Sequence, residues 1–113
     1  MKLSVLALDY DGTITRDDRP DAAVLGAIAD ARRRNVIVML VTGRIFDDLR
    51  RVAGDLHFVD GVVAENGASV HFPSTGHTTV LAPPIPSTLV MRLKELGIPS
   101  QGRKRLCEID IIL

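Results

Sequence analysis

Asp9 and Asp11 stand two residues apart, directly after the apolar run Leu3-Ser-Val-Leu-Ala-Leu8 and directly before Gly12-Thr13. Two carboxylates that close repel each other and disfavour a dry setting, so a turn or a cation must reward the arrangement. Asp-Gly is a hairpin signal between alternating strands. Here only Thr13-Ile14-Thr15 follows Gly12 before the charged loop Arg16-Asp17-Asp18-Arg19, which makes a poor return strand. An EF-hand calcium loop needs glycine at its sixth position and glutamate at its twelfth. Counted from Asp9 these positions are Ile14 and Pro20, so that pattern fails. A third, competing reading is a catalytic pair around a magnesium ion, because Mg²⁺ is usually held by one or two carboxylates plus substrate phosphate and water. A carboxylate beside Mg²⁺ can attack phosphorus to form an aspartyl phosphate. The second carboxyl can protonate the leaving alcohol and then take a proton from water. Gly12 would let the chain turn sharply and leave backbone N–H groups for phosphate oxygens.

A second group follows the next apolar run. Thr42 and Gly43 offer a hydroxyl and an amide ahead of a helical stretch, the makings of an anion site. Thr42 equally suits a plain helix cap, and Arg44 suits either a substrate contact or a surface position in the first helical turn. Asn66-Gly67 after the third apolar run fits a turn or a substrate contact.

These residues need elements that bring them to one edge. Residues 3–8 have strand length and the apolar continuity of a strand buried on both faces. Pro20 suits a helix start. Val24, Leu25, Ile28, Ala29 and Ala31 then mark an apolar stripe from Asp21 to Arg34. Arg32, Arg33 and Arg34 meet the negative end of that helix, and Asn35 suits its stop. Residues 36–41 predict a second buried strand, 45–53 a helix and 61–64 a third strand. The order β-α-β-α-β implies a parallel sheet with right-handed crossovers. In such sheets ligands bind beyond the carboxyl ends of the strands, where Asp9, Asp11, Thr42 and Gly43 fall. Further on, 69–72 and 78–81 predict a hairpin with a five-residue loop, Pro73–His77. Pro83, Pro84 and Pro86 form a stiff linker, 86–97 an amphipathic helix, and 108–113 a closing strand.

Composition bounds the partners. The chain has 113 residues, enough for one modest domain. Fourteen basic and fourteen acidic residues cancel, so no global field recruits nucleic acid or an anionic membrane. One Tyr, three Phe and no Trp give little for base stacking. The longest oily stretch, Val36–Thr42, is too short to span a bilayer. Cys107 is alone, and no secretory leader pattern stands at the N-terminus, so a cytoplasmic location is expected. His57, His71 and His77 share no metal-binding spacing.

Asp9-Tyr10-Asp11-Gly12-Thr13 on an apolar strand resembles the first motif of the haloacid dehalogenase superfamily phosphatases. Val41-Thr42-Gly43-Arg44 resembles their second motif. Glu65-Asn66-Gly67-Ala68 resembles a signature of the subgroup with a large, late cap, which includes Cof-type and sugar-phosphate phosphatases. The resemblance covers residues 1 to about 82. It implies an α/β, Rossmann-like parallel sheet with flanking helices, truncated, followed by the start of an α+β cap: core 1–82, cap 83–113. It implies a Mg²⁺-dependent phosphatase acting on a small phosphorylated metabolite, such as a sugar phosphate. Asp9 would be nucleophile and metal ligand. Asp11 would be the general acid/base, its carbonyl on the metal. Thr42 and Gly43 would hold the phosphate, with Gly12, Arg44 and Asn66 as further phosphate or substrate contacts.

The family pattern also needs a lysine and a later acidic motif, which in this subgroup follow the cap. Lys94, Lys104 in the run Arg103-Lys104-Arg105, and Asp110 are poor substitutes on their predicted elements. A truncated, weakly active or non-catalytic chain that pairs with another copy through its open sheet edge is therefore the alternative. A mutase using the same aspartyl phosphate is a further one.

Overall fold

The computed structural model describes residues 4–98. Its elements are β1 (Val5–Asp9), α1 (Ala22–Arg33), β2 (Ile37–Val41), α2 (Phe46–Ala53), β3 (Gly61–Ala64), β4 (Ser69–Phe72), β5 (His77–Val80) and α3 (Ser87–Glu95). Cys107, Lys104, the basic run 103–105, Asp110 and the strand expected at 108–113 lie outside the described residues.

Asp21, rather than Pro20, sets the start of α1. Its carboxylate accepts a hydrogen bond from the Val24 N–H at 2.9 Å and satisfies a donor that the helix itself leaves open. The helix ends at the three arginines, and Asn35 follows in the left-handed conformation (φ 63°). Arg32 then ties the helix end to the turn before β3. It donates to the His57 carbonyl at 2.8 Å and pairs with Asp60 at 3.1 Å, while Asp60 also accepts from the Val38 N–H.

The three leading strands pair in parallel, β1 with β2 and β2 with β3. The predicted hairpin extends this parallel part into a mixed sheet. β4 adds antiparallel to β3, and β5 to β4, giving one mixed sheet in the order β1-β2-β3-β4-β5. Its loop holds four residues, Pro73–Gly76, because β5 begins at His77. α3 is shorter than predicted, with Pro86 at its start and Gly97 in a left-handed conformation just after its end. None of its residues is buried, and Lys94 lies exposed on it.

Among the described residues the sheet is covered on one face, while its apolar runs are those of strands buried on both. Leu8, Val38, Leu40, Val62 and Ala64 pack with Val24, Ile28 and Ala31 of α1 and with Phe46, Leu49 and Val52 of α2. Right-handed crossovers that step from β1 to β2 to β3 place both helices on the same side. The opposite face carries Val5, Ala7, Ile37 and Val41, all exposed. On that face Met39 lies over Gly61, where any β-carbon would meet its side chain at 2.6 Å. No helix among the described residues is long and apolar enough to cross a membrane.

Candidate active site

Asp9 closes β1 and is the register partner of Val41, the last residue of β2. Asp9 and Thr42 therefore leave neighbouring strands at the same sheet edge. Asp9 belongs to the side-chain set of Val5 and Ala7, two residues apart along the strand, and is exposed.

The chain beyond Asp9 folds into a tight loop. Tyr10 is fully buried beneath it, and its hydroxyl donates to the Asp18 carbonyl. Gly12 takes φ +74°, as the expected turn requires. Its N–H is not left for a ligand, however: it donates to the Thr15 carbonyl at 2.9 Å. The Thr13 and Ile14 amides likewise turn back on the Tyr10 carbonyl. Gly12 thus shapes the loop, and the expectation of free amides there is corrected. The Asp11 carbonyl takes no backbone hydrogen bond among the described residues.

Asp11 and Arg44, read separately from sequence, meet in a forked ion pair. Arg44 Nε lies 2.8 Å from Asp11 Oδ2, and its Nη2 lies 2.7 Å from Asp11 Oδ1 and 3.1 Å from Asp18 Oδ1. Bidentate guanidinium–carboxylate pairs are the strong, oriented kind. The hydrogen bonds from Arg44 hold the Asp11 carboxyl below its usual range, and Asp11 in turn raises the Arg44 guanidinium above its own. Asp11 keeps about half of its side chain in solvent (49%), so screening limits what the pair adds to stability.

Thr42 is buried, and its hydroxyl accepts from the Arg44 N–H at 3.0 Å. It caps this turn and not helix α2, whose cap position is Ile45. Gly43 lies beside Asn66: a β-carbon at Gly43 would stand 2.9 Å from Asn66 Oδ1. Glu65, almost fully buried, and Asn66 both adopt left-handed conformations in the turn after β3. The structure thus brings Asp9, Asp11, Gly12, Thr42, Gly43, Arg44 and Asn66 to the strand ends of one sheet edge. Asp18 joins them unforeseen; its place beside Arg44 depends on the loop, and no spacing in the sequence announces it.

The histidines lie elsewhere. His71 is buried on β4, stacked on Phe46 with ring centres 3.6 Å apart, and both its nitrogens meet hydroxyls, Ser69 and Thr78, at 2.9 Å. Burial pushes its pKa down. A cleft of about 710 Å³ opens beside it, between α2 and the β4–β5 loop, and contains none of the acidic-edge residues. Among the described residues, no group of three His, Cys, Asp or Glu side chains is placed to hold a metal ion.

Comparison with known proteins identifies the family of the chain. A family model described as haloacid dehalogenase-like hydrolase matches residues 6–109. A phosphoglycolate phosphatase of Methanosarcina mazei is 40% identical over 70 residues, covering 62% of this chain and 30% of that protein. Its counterpart from Methanosarcina acetivorans is 42% identical over 71 residues, with the same coverage. The chain thus spans about a third of the length of these curated relatives. Among solved structures, Thermoplasma acidophilum 0175 superposes with a TM-score of 0.75 at 16% identity, over 100% of this chain and 52% of that one. A subclass IIB sugar phosphatase superposes with a TM-score of 0.60 at 22% identity, over 86% and 39%. At these identities the structural matches speak for the fold.

Proposed function

Because the chain belongs to the haloacid dehalogenase-like hydrolases, we propose that it carries the nucleophile-bearing part of a Mg²⁺-dependent phosphatase for a small phosphorylated metabolite. The observation that supports this reading is the register of Asp9 with Val41, which puts Asp9 beside the Thr42-Gly43 loop. The curated relatives bear the name phosphoglycolate phosphatase and one structural neighbour is a sugar phosphatase. 2-Phosphoglycolate is therefore the first substrate to assay and hexose phosphates the second.

In this reading an Asp9 carboxylate oxygen attacks phosphorus, and the bond to the leaving alkoxide oxygen breaks. Asp11 gives that oxygen a proton. Water then attacks the aspartyl phosphate with Asp11 taking its proton, and phosphate leaves with Asp9 restored. Thr42 and Gly43 hold the non-bridging oxygens. Among the described residues, the exposed Asp9 carboxylate and the Asp11 carbonyl, which takes no backbone hydrogen bond there, would suit Mg²⁺, a cation that keeps several waters and substrate oxygens around it. When bound, the ion would offset negative charge between carboxylate and phosphoryl group. Arg44 keeps Asp11 ionised, the form needed for the water step. For the alcohol step the clamp has to open and Asp11 has to take up a proton from solvent beforehand; an incoming phosphate dianion competes for the same guanidinium and so favours both. Residues 1–82 are assigned to the phosphatase core and 83–113 to the beginning of a cap, in keeping with an α3 that buries none of its residues.

The test is turnover of 2-phosphoglycolate and hexose phosphates with Mg²⁺ or with EDTA, beside Asp9→Asn. The substitution should lower kcat by about ten-thousandfold or more, as loss of a covalent nucleophile does. Turnover that survives Asp9→Asn rules the reading out. A second reading is favoured by the exposed apolar side chains of β1 and β2 and by β1 standing at the sheet edge. It has this chain as a self-associating, weakly active subunit. Light scattering that shows a monomer with rapid turnover would exclude it.

A further inference from the structure

The loop Thr42–Arg44 has no regular structure of its own. Its shape comes from the turn after β3. The Thr42 N–H donates to the Val63 carbonyl at 2.9 Å, the Asn66 N–H to the Thr42 carbonyl at 3.2 Å, and the Glu65 N–H to the Arg44 carbonyl at 3.0 Å. The last two bonds come from residues in left-handed conformations, φ 50° at Glu65 and 55° at Asn66, with Gly67 following at 100°. Consecutive left-handed residues other than glycine persist only where their surroundings over-determine them. Glu65, 1% exposed, is the buried anchor of this turn.

The side chain of Asn66 bears on the loop as well. A β-carbon on Gly43 would lie 2.9 Å from Asn66 Oδ1 and 3.6 Å from its Cγ and Nδ2. Gly43 does not take a left-handed conformation, so what opposes a side chain there is the Asn66 carboxamide, which would have to move aside. A loop held from three backbone points and flanked by a carboxamide where a side chain of its own would stand is preset before any ligand arrives, and preorganisation of this kind raises affinity by lowering the ordering cost of binding.

We propose that Asn66 is a positioning residue: its carboxamide, held by the Glu65–Gly67 turn, packs against Gly43 and presets the Thr42–Arg44 loop for a tetrahedral oxyanion. This rests on the phosphatase reading but moves Asn66 from substrate contact to support of the loop. The turn is thus a functional part of the anion site, and Gly43 and Asn66 form an interdependent pair.

The test is a two-residue cycle read by calorimetric titration with inorganic phosphate in the presence of Mg²⁺. Gly43→Ala should weaken phosphate binding about tenfold or more in the wild-type background, since a misplacement near 1 Å carries penalties of that order or greater. In the Asn66→Gly background the same change should weaken it less than about threefold, because the atoms it would strike are gone. Asn66→Gly alone should weaken binding by about threefold to tenfold with the melting temperature unchanged or raised, since glycine takes the left-handed conformation freely. Equal losses from Gly43→Ala in both backgrounds would overturn the proposal, as would full phosphate affinity in Asn66→Gly. Amide hydrogen exchange at Gly43 and Arg44 tests the loop without any ligand. Asn66→Gly should speed it about tenfold, and unchanged exchange overturns the positioning role whether or not phosphate binds. A wild-type chain that shows slow, Asn66-dependent exchange but no phosphate binding would instead count against the phosphatase reading alone.

Discussion

The two faces of the sheet carry similar residues and lead different lives. On one face Leu8, Val38, Leu40, Val62 and Ala64 disappear under α1 and α2. On the other, Val5, Ala7, Ile37 and Val41 remain in contact with water, and the side-chain set that they begin ends in Asp9. The covered face holds the fold together, because apolar area removed from water is the main favourable contribution to stability. The bare face adds little to folding within these residues, and its carboxylate stays open to a ligand and a cation. Stability and chemistry are thus separated by a half-turn of the same strands.

The largest expected effect tests this separation. Leu40→Ala removes a fully buried side chain from the covered face and should cost about 2–5 kcal/mol in urea denaturation. Ile37→Ala, on the bare face and about half exposed (48%), should cost under about 1 kcal/mol. Equal losses would mean that the bare face is buried in solution, and light scattering would then show by how many copies.

His71 sharpens the comparison through pH. It lies on the covered face, opposite Val62 on the neighbouring strand, and burial lowers its pKa. The unfolded chain therefore takes up the proton first. Stability should be unaffected above the ordinary histidine value of about 6.5 and should decline as pH falls below it. His71→Gln should flatten that limb in denaturation series between pH 7 and 5, and an unchanged slope would show that another group titrates there.

The smallest effect belongs to the exposed edge. Asp11 has a lowered pKa because of Arg44, so its contribution to stability is complete above the ordinary carboxylate value of about 3.9. It fades as pH falls through the depressed folded value. Arg44→Ala should remove that contribution, with a loss under about 1 kcal/mol at neutral pH, since both partners are partly solvated. Carboxyl resonances followed by NMR should show Asp11 titrating at higher pH in the variant. A loss as large as that of Leu40→Ala would erase the distinction between structural face and chemical edge.

Much of this was legible beforehand. Apolar runs located β1, β2 and β3 within two residues, and the helical stripe and closing arginines located α1, because local patterning and capping act within a few residues of chain. The pairs 9/11 and 42/43 could be assigned to one edge because parallel strands put their carboxyl ends together. The one-sided cover was not legible: an apolar run looks the same whether one face or both are buried. Nor was the engagement of the Gly12 amide, since which carbonyl a turn amide meets depends on where the loop closes. The stack of His71 on Phe46 had only a faint signal, a histidine flanked two residues back by Ser69 and, on the next strand, by Thr78.

What the sequence determined by itself is a matter of short range: which segments become strands and helices, and that two carboxylates and a Thr-Gly pair follow consecutive strands. Only the tertiary structure decided that Arg44 grips Asp11 and Asp18, that Asn66 lies beside Gly43, and that among the described residues one face of the sheet stays bare. Propensity and periodicity act between neighbours along the chain. An ion pair spanning 33 residues, or a backbone bent left-handed to reach another loop, exists only after the strands have been laid side by side.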